Sequence, residues 1–161
     1  MGLINQSIIA TKMNCYIASD HAGFNLKETI IREFASRLPD PAFIDLGTSS
    51  SESCHYPLFA KALCEKVLQE KSSFGILICG SGIGMSMAAN KFKGVRAALC
   101  KSAEEARLAR AHNHANVLCL GAKVLSLEEN KNIVEAFFKA SEESGRHTLR
   151  VEMMDKWGEV L

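Results

Sequence analysis

The sequence predicts an α/β fold, a three-layer αβα sandwich in which helices cover both faces of a parallel sheet of about five strands. Three observations lead to it. Short apolar runs alternate with longer segments whose apolar residues recur at helical spacing, the β-then-α order that right-handed crossovers turn into a parallel sheet. One run, FGILIC from Phe74 to Cys79, is apolar without interruption, as a central strand buried on both faces requires. Two polar, glycine-bearing segments, SDHAG and CGSGIG, sit at the ends of the first and third apolar runs, where α/β folds bind ligands.

The elements follow in order. NCYIAS is the first strand; Gly23 lies in the loop after it, and Leu26, Ile30, Phe34 and Leu38 mark one face of a helix that Pro39 and Pro41 end. AFIDL is the second strand. Leu58, Phe59, Ala62, Leu63 and Val67 give a helical stripe over Tyr56 to Leu68. After the third strand, GSGIG enters a helix from Met85 to Asn90, and VRAALC and NVLCL are the fourth and fifth strands. Between these two, Ser102 caps a helix to about Ala111, with Glu105 completing a capping box. A helix over Leu127 to Ser141, the basic segment GRHTLR and a short helix from Val151 to Trp157 complete the chain. The expected strand order is 2-1-3-4-5, which sets a switch point between strands one and three and opens SDHAG and CGSGIG onto one crevice. The weakly patterned residues 1–13 are expected to be a flexible extension, and residues 14–161 one domain.

Composition narrows the function. The chain has 161 residues, 47% hydrophobic and 23% charged, and 19 Lys+Arg against 18 Asp+Glu leave a net charge of +1. That balance excludes a largely disordered chain and offers no extended nucleic-acid footprint, so any basic site must be local. No stretch reaches the roughly 18 apolar residues of a membrane helix, and the opening lacks a secretory pattern, so a cytoplasmic chain with no membrane partner is expected. Six cysteines without CxxC or zinc-finger spacing read as reduced thiols, with no structural metal.

Within this frame a few residues carry chemistry. GSGIG at 80–84 is not the dinucleotide fingerprint, so no nucleotide cofactor is implied. It is either a structural turn or a turn whose backbone N–H groups receive an anion. Buried cysteines are ordinarily inert small hydrophobes, the reading for Cys15, Cys64, Cys100 and Cys119. Cys79 differs because it immediately precedes the glycine loop, where a thiolate would serve as nucleophile or proton base. Asp20 and His21 reach the same crevice, suited to the protons of sugar hydroxyls; His112 and Asn113 follow the fourth helix, and His114 reads as a loop or helix-end residue. Arg146, His147 and Arg150 form a basic cluster, either solvated surface or a joint grip on one phosphate.

Seven separated segments, IASDHAGF at 17–24, DLGT at 45–48, YP at 56–57, CGSGIGMSMAANK at 79–91, VRAALC at 95–100, HNHANVLCLG at 112–121 and GRHTLRV at 145–151, together resemble the ribose-5-phosphate isomerase B family. The resemblance implies a Rossmann-like sandwich that interconverts ribose 5-phosphate and ribulose 5-phosphate in the non-oxidative pentose phosphate pathway, without metal or organic cofactor. It further implies a homodimer, sometimes assembled into a tetramer, with each active site shared between two subunits. Carried onto matching residues, Cys79 is the base moving the proton between C2 and C1 through an enediol or enediolate. The backbone at Gly80, Ser81, Gly82 and Gly84 holds the oxyanion, with Ser81 in a common threonine position. Asp20 and His21 contact substrate, Tyr56 lines the pocket, Asn113 orients the open sugar and His112 assists ring opening. Arg146 and Arg150 form the phosphate clamp, contributed with His112 and Asn113 by the other subunit, and Lys123 adds charge where many relatives carry arginine.

The sequence departs from the family pattern at His55, where aspartate is common, and at Ser49 and Ser50, in a loop that often contains histidine. Both changes bear on the substrate rim. The competing readings are an isomerase for a six-carbon phosphate, such as allose 6-phosphate or galactose 6-phosphate, and a sugar-phosphate binding protein without catalysis.

Overall fold

The computed structural model of the chain describes residues 13–37 and 41–157. Of the expected extension only Met13 is described, and its carbonyl accepts a hydrogen bond from Ala42 N–H at 2.9 Å. Leu38 and Pro39, expected at the end of the first helix, lie outside the described residues.

Strand β1 (Asn14–Ser19) is followed by α1 (Phe24–Arg37), β2 (Ala42–Asp45), α2 (Tyr56–Gln69), β3 (Phe74–Cys79), α3 (Ile83–Ala89), β4 (Ala97–Leu99), α4 (Ala103–Asn113), β5 (Val117–Gly121), α5 (Leu127–Lys139) and α6 (Arg146–Asp155). Every strand pair is parallel, and helices cover both faces of the five-stranded sheet, the Rossmann-like sandwich the sequence predicts.

The strand order is β2-β1-β3-β5-β4, which corrects the expected 2-1-3-4-5 at its last two positions. Burial supplies the reason. All five residues of β5 are buried, whereas β4 has three residues, all only partly buried. A strand covered on both faces belongs inside the sheet and a short, half-covered one at its edge. Right-handed crossovers then put α2 and α3, which carry the chain toward the β4 edge, on one face, and α1 and α4, which carry it the other way, on the opposite face. The two cores follow that division. Leu26, Ile30, Phe34, Ala106, Ala109 and Phe137 pack on Ile76 and Ile78, while Leu63, Val67, Met85 and Ala89 pack on Leu77 and Cys79. Alternation along β3 thus aims the Cys79 side chain at the α2/α3 layer. The exchange leaves the switch point between β1 and β3 in place.

Helix starts follow their side chains. Ser102 Oγ accepts Glu105 N–H at 3.1 Å, and Glu105 Oε2 accepts Lys101 N–H at 2.6 Å. Ser126 and Glu129 form a full capping box on α5, a signature equally present in the sequence as S-L-E-E. Two starts differ from expectation. α3 begins at Ile83 rather than Met85, directly after the left-handed Gly82, and the last helix begins at Arg146 rather than Val151, so the basic segment is its first turn and a half. Lys27 of α1 is fully buried, ion-paired with Asp45 at the end of β2 and with Glu28. Asp45 Oδ1 accepts Gly47 N–H at 2.8 Å, and Gly47 O accepts Ser19 N–H at 2.7 Å, which ties the loop after β2 to the end of β1. No helix among the described residues is long and apolar enough to cross a membrane.

Candidate active site

The crevice is built at the carboxyl ends of β1 and β3. Asp20 follows β1 with its N–H on Ile78 O at 3.1 Å, and one carboxylate oxygen accepts Gly23 N–H at 3.0 Å, so the loop folds back against β3. A Cβ at Gly23 would lie 2.7 Å from Ile78 O, too close for any side chain. His21 Nδ1 accepts Cys54 N–H at 3.2 Å, which leaves the ring hydrogen on Nε2 as a donor.

At the end of β3, Cys79 is 5% exposed and its sulfur accepts Gly82 N–H at 3.1 Å. Only a residue tolerant of positive φ turns that N–H back onto the sulfur, and Gly82 has φ 78°. Ser81 Oγ accepts Ile83 N–H at 3.3 Å. Tyr56, at the first position of α2, lies over Gly84, where a Cβ would meet its ring at 2.7 Å. Lys123 closes another side: its N–H donates to Gly80 O at 2.9 Å, and its exposed side chain runs beside Gly80. The crevice therefore gathers Asp20, His21, Tyr56, Cys79, Gly80, Ser81, Gly82, Gly84 and Lys123.

The remaining thiols separate from Cys79 as expected for core residues. Burial pushes Cys64 and Cys100 up to about 12 and raises Cys15 and Cys119 well above the ordinary thiol range, so all four are neutral and inert at ordinary pH. Two contacts of the site were not read from the sequence. Cys54 holds His21 through its backbone, a long-range pairing with no local signal. Gly121 closes β5 beneath the loop, where a Cβ would lie 2.8 Å from Ser81 O; a glycine ending an apolar strand was its available signal. Gly121→Ala is expected to push the 80–84 loop outward and lower turnover by about 10- to 100-fold with the fold retained, measured by steady-state kinetics beside thermal unfolding.

The second group lies elsewhere. α4 starts beyond the carboxyl end of β4 and runs back across the sheet for 11 residues, about 16 Å, so His112 and Asn113 in its last turn sit at the edge opposite Cys79. α6 packs on α4 there. The His112 and His147 rings are stacked, 4.1 Å between centroids and 8° from parallel, and Arg146 and Arg150 extend from the first turns of α6 into solvent. Burial, the neighbouring His112 and then Arg146 push the His147 imidazole below its ordinary range and keep it neutral near pH 7. Within one chain His112, Asn113, Arg146 and Arg150 are together, and Cys79 with its loop is on the other side of the sheet.

An α/β sandwich with a thiol, an Asp-His pair and a glycine loop at its switch point has the layout of a small-molecule site. The family model for ribose/galactose isomerases matches residues 15–154, and the chain belongs to that family. The ribose-5-phosphate isomerase B of Escherichia coli (strain K12) is 46% identical over 133 residues, 83% of this chain and 88% of that protein. The structure of ribose-5-phosphate isomerase B from Mycoplasma genitalium with bound ribulose-5-phosphate superposes with a TM-score of 0.86 at 42% identity, covering 90% of this chain and 95% of that one. A ribose 5-phosphate isomerase from Thermotoga maritima gives a TM-score of 0.84 at 42% identity, covering 89% and 97%.

Proposed function

We propose that the protein interconverts D-ribose 5-phosphate and D-ribulose 5-phosphate, with Cys79 as the proton-transferring base and a site completed by a second copy of the chain. The observation that carries this reading is the Cys79 sulfur, buried at the end of β3, accepting an N–H from Gly82 and bordered by the 80–84 loop. It receives a hydrogen bond instead of having to donate one, which suits an anionic acceptor of protons.

The chemistry runs in two stages. His112 assists opening of the furanose by moving a proton between the anomeric hydroxyl and the ring oxygen. Cys79 then takes the proton from C2 of the open aldehyde. The electron pair moves through C1 to O1, and the backbone N–H groups at Gly80, Ser81 and Gly84 stabilise the resulting enediolate, while the Gly82 N–H stays on the Cys79 sulfur. Return of the proton to C1 and transfer of the O2 proton leave the C2 ketone. Asp20, His21 and the Ser81 hydroxyl serve the hydroxyl groups, Tyr56 lines the sugar, and Asn113 orients the open chain.

The phosphate end requires the second copy. Arg146 and Arg150 offer two guanidiniums on one helical face to one phosphate, and Lys123 adds a third positive charge from the Cys79 side. Ile83 and Met87 on α3 and Leu149 and Met153 on α6 are exposed in one chain, apolar surface beside each half-site that a partner would cover.

Purified protein without added metal is expected to form ketose from ribose 5-phosphate with a higher kcat/KM than from allose 6-phosphate or galactose 6-phosphate. Faster turnover of a hexose phosphate would reassign the substrate, and binding of ribose 5-phosphate without ketose formation would make the chain a binding protein.

A further inference from the structure

The turn joining α5 to α6 brings a carboxylate to two imidazoles, and the isomerisation chemistry uses only one of these three groups, His112. Glu143 Oε2 lies 3.4 Å from His112 Nε2 and 3.6 Å from His147 Nε2, and the three donor atoms all lie within 4.8 Å of one another. In a tetrahedral site with bonds of about 2.0–2.1 Å, neighbouring donors stand about 3.3 Å apart. Two edges of the triangle are already near that length, and rotation of the stacked rings about their soft side-chain torsions closes the third.

The frame that holds these groups is built. Glu143 N–H donates to Ala111 O at 2.8 Å, and Glu143 O accepts from His114 Nε2 at 2.9 Å, so the segment bearing the carboxylate is tied at two points to the end of α4. Glu143 and His147 are four residues apart, His147 is 7% exposed and closes the inner side, and His112 is half-buried and leaves the outer side open. Arg146 Nε–H approaches His147 Nε2 at 3.4 Å, a long contact that a stronger ligand would displace. Two imidazole nitrogens and one carboxylate with a free fourth position suit Zn2+, whereas Mg2+ and Ca2+ call for oxygen donors throughout.

We propose that His112, Glu143 and His147 form an inhibitory Zn2+ site, in which the metal takes the His112 lone pair and withdraws that ring from proton transfer. The inhibitory half rests on the role of His112 in ring opening; the binding half stands on the ligand geometry alone.

The test is titration of full-length protein with Zn2+ by calorimetry, and with Co2+ by absorption, in wild type, Cys79→Ala, Glu143→Gln and His147→Gln. Expected are one saturable site per chain that Cys79→Ala retains, tetrahedral Co2+ bands without a thiolate charge-transfer band, and at least tenfold weaker binding in each of the other two variants. Glu143 is exposed, so Glu143→Gln decides the matter even where His147→Gln does not fold. Absence of saturable binding, or binding that Glu143→Gln leaves unchanged, overturns the site. Binding to wild type that leaves its turnover unaltered overturns the inhibitory role. Protein that binds Zn2+ through these residues but has no isomerase activity refutes the enzymatic reading and the inhibitory role together, and leaves the site standing.

Discussion

Cys79→Ala is expected to lower ribose 5-phosphate turnover by about 10³-fold or more while the protein remains folded and still binds substrate. A positioned general base contributes about 10² to 10⁴ in rate, and Cys79 is the group proposed to move the proton between C2 and C1. The sulfur lies at the crevice end of β3, and the strand register from Gly75 to Ile78 does not depend on it, so the cost in stability is about 1 kcal/mol, that of one small buried group. Cys79→Ser is expected to be nearly as inactive, because a hydroxyl near its ordinary acidity remains protonated. The check is kcat by single-turnover assay alongside a thermal melt. Loss of activity with loss of fold would leave the sulfur a packing role, and retention of wild-type kcat would remove it from the chemistry.

Arg146→Ala and Arg150→Ala are each expected to lower kcat/KM by about 10- to 100-fold, the effect of about 1.5–3 kcal/mol per charged hydrogen bond to phosphate. The greater part of the loss falls on KM. Both side chains are exposed, so neither change should disturb the core, and the melting temperature serves as control. Arg146→Lys restores charge without the planar fork and should recover only part of the loss, which separates bidentate recognition from simple charge. The double variant should lose less than the product of the two effects, because in the proposed clamp the guanidiniums share one phosphate.

Much of the crevice was legible because its signals are local. A strand end, a glycine loop and the residue types Asp20, His21 and Cys79 stand next to one another in sequence, and βα alternation brings the two strand ends together. The order of β4 and β5 was misread although its signal was present: VLCLG is more continuously apolar than AAL, and the longer apolar run takes the interior position. The start of α6 was misread because Gly145 and the basic residues resemble a loop, while the packing of His147 on His112 that anchors the turn joins residues 35 apart. Lys27 illustrates the limit. It reads as an ordinary helical lysine, and only tertiary structure reveals it as a buried partner of Asp45.

Within one chain the two residue groups stand at opposite edges of the sheet. β5 and α4 each span about 16 Å between the sheet edges, so no side-chain motion within one chain carries Arg146 to Cys79. The sharing of the site is tested most directly by mixing two impaired proteins, Cys79→Ala and Arg146→Ala, allowing subunits to exchange, and assaying at substrate far below KM, where Arg146→Ala alone retains at most about a tenth of wild-type activity. Random pairing makes half of the dimers mixed, and each mixed dimer has one intact site of two, so activity should rise to about a quarter of the wild-type value. Activity that stays at the level of the separate variants after verified exchange would contradict a site built from two chains.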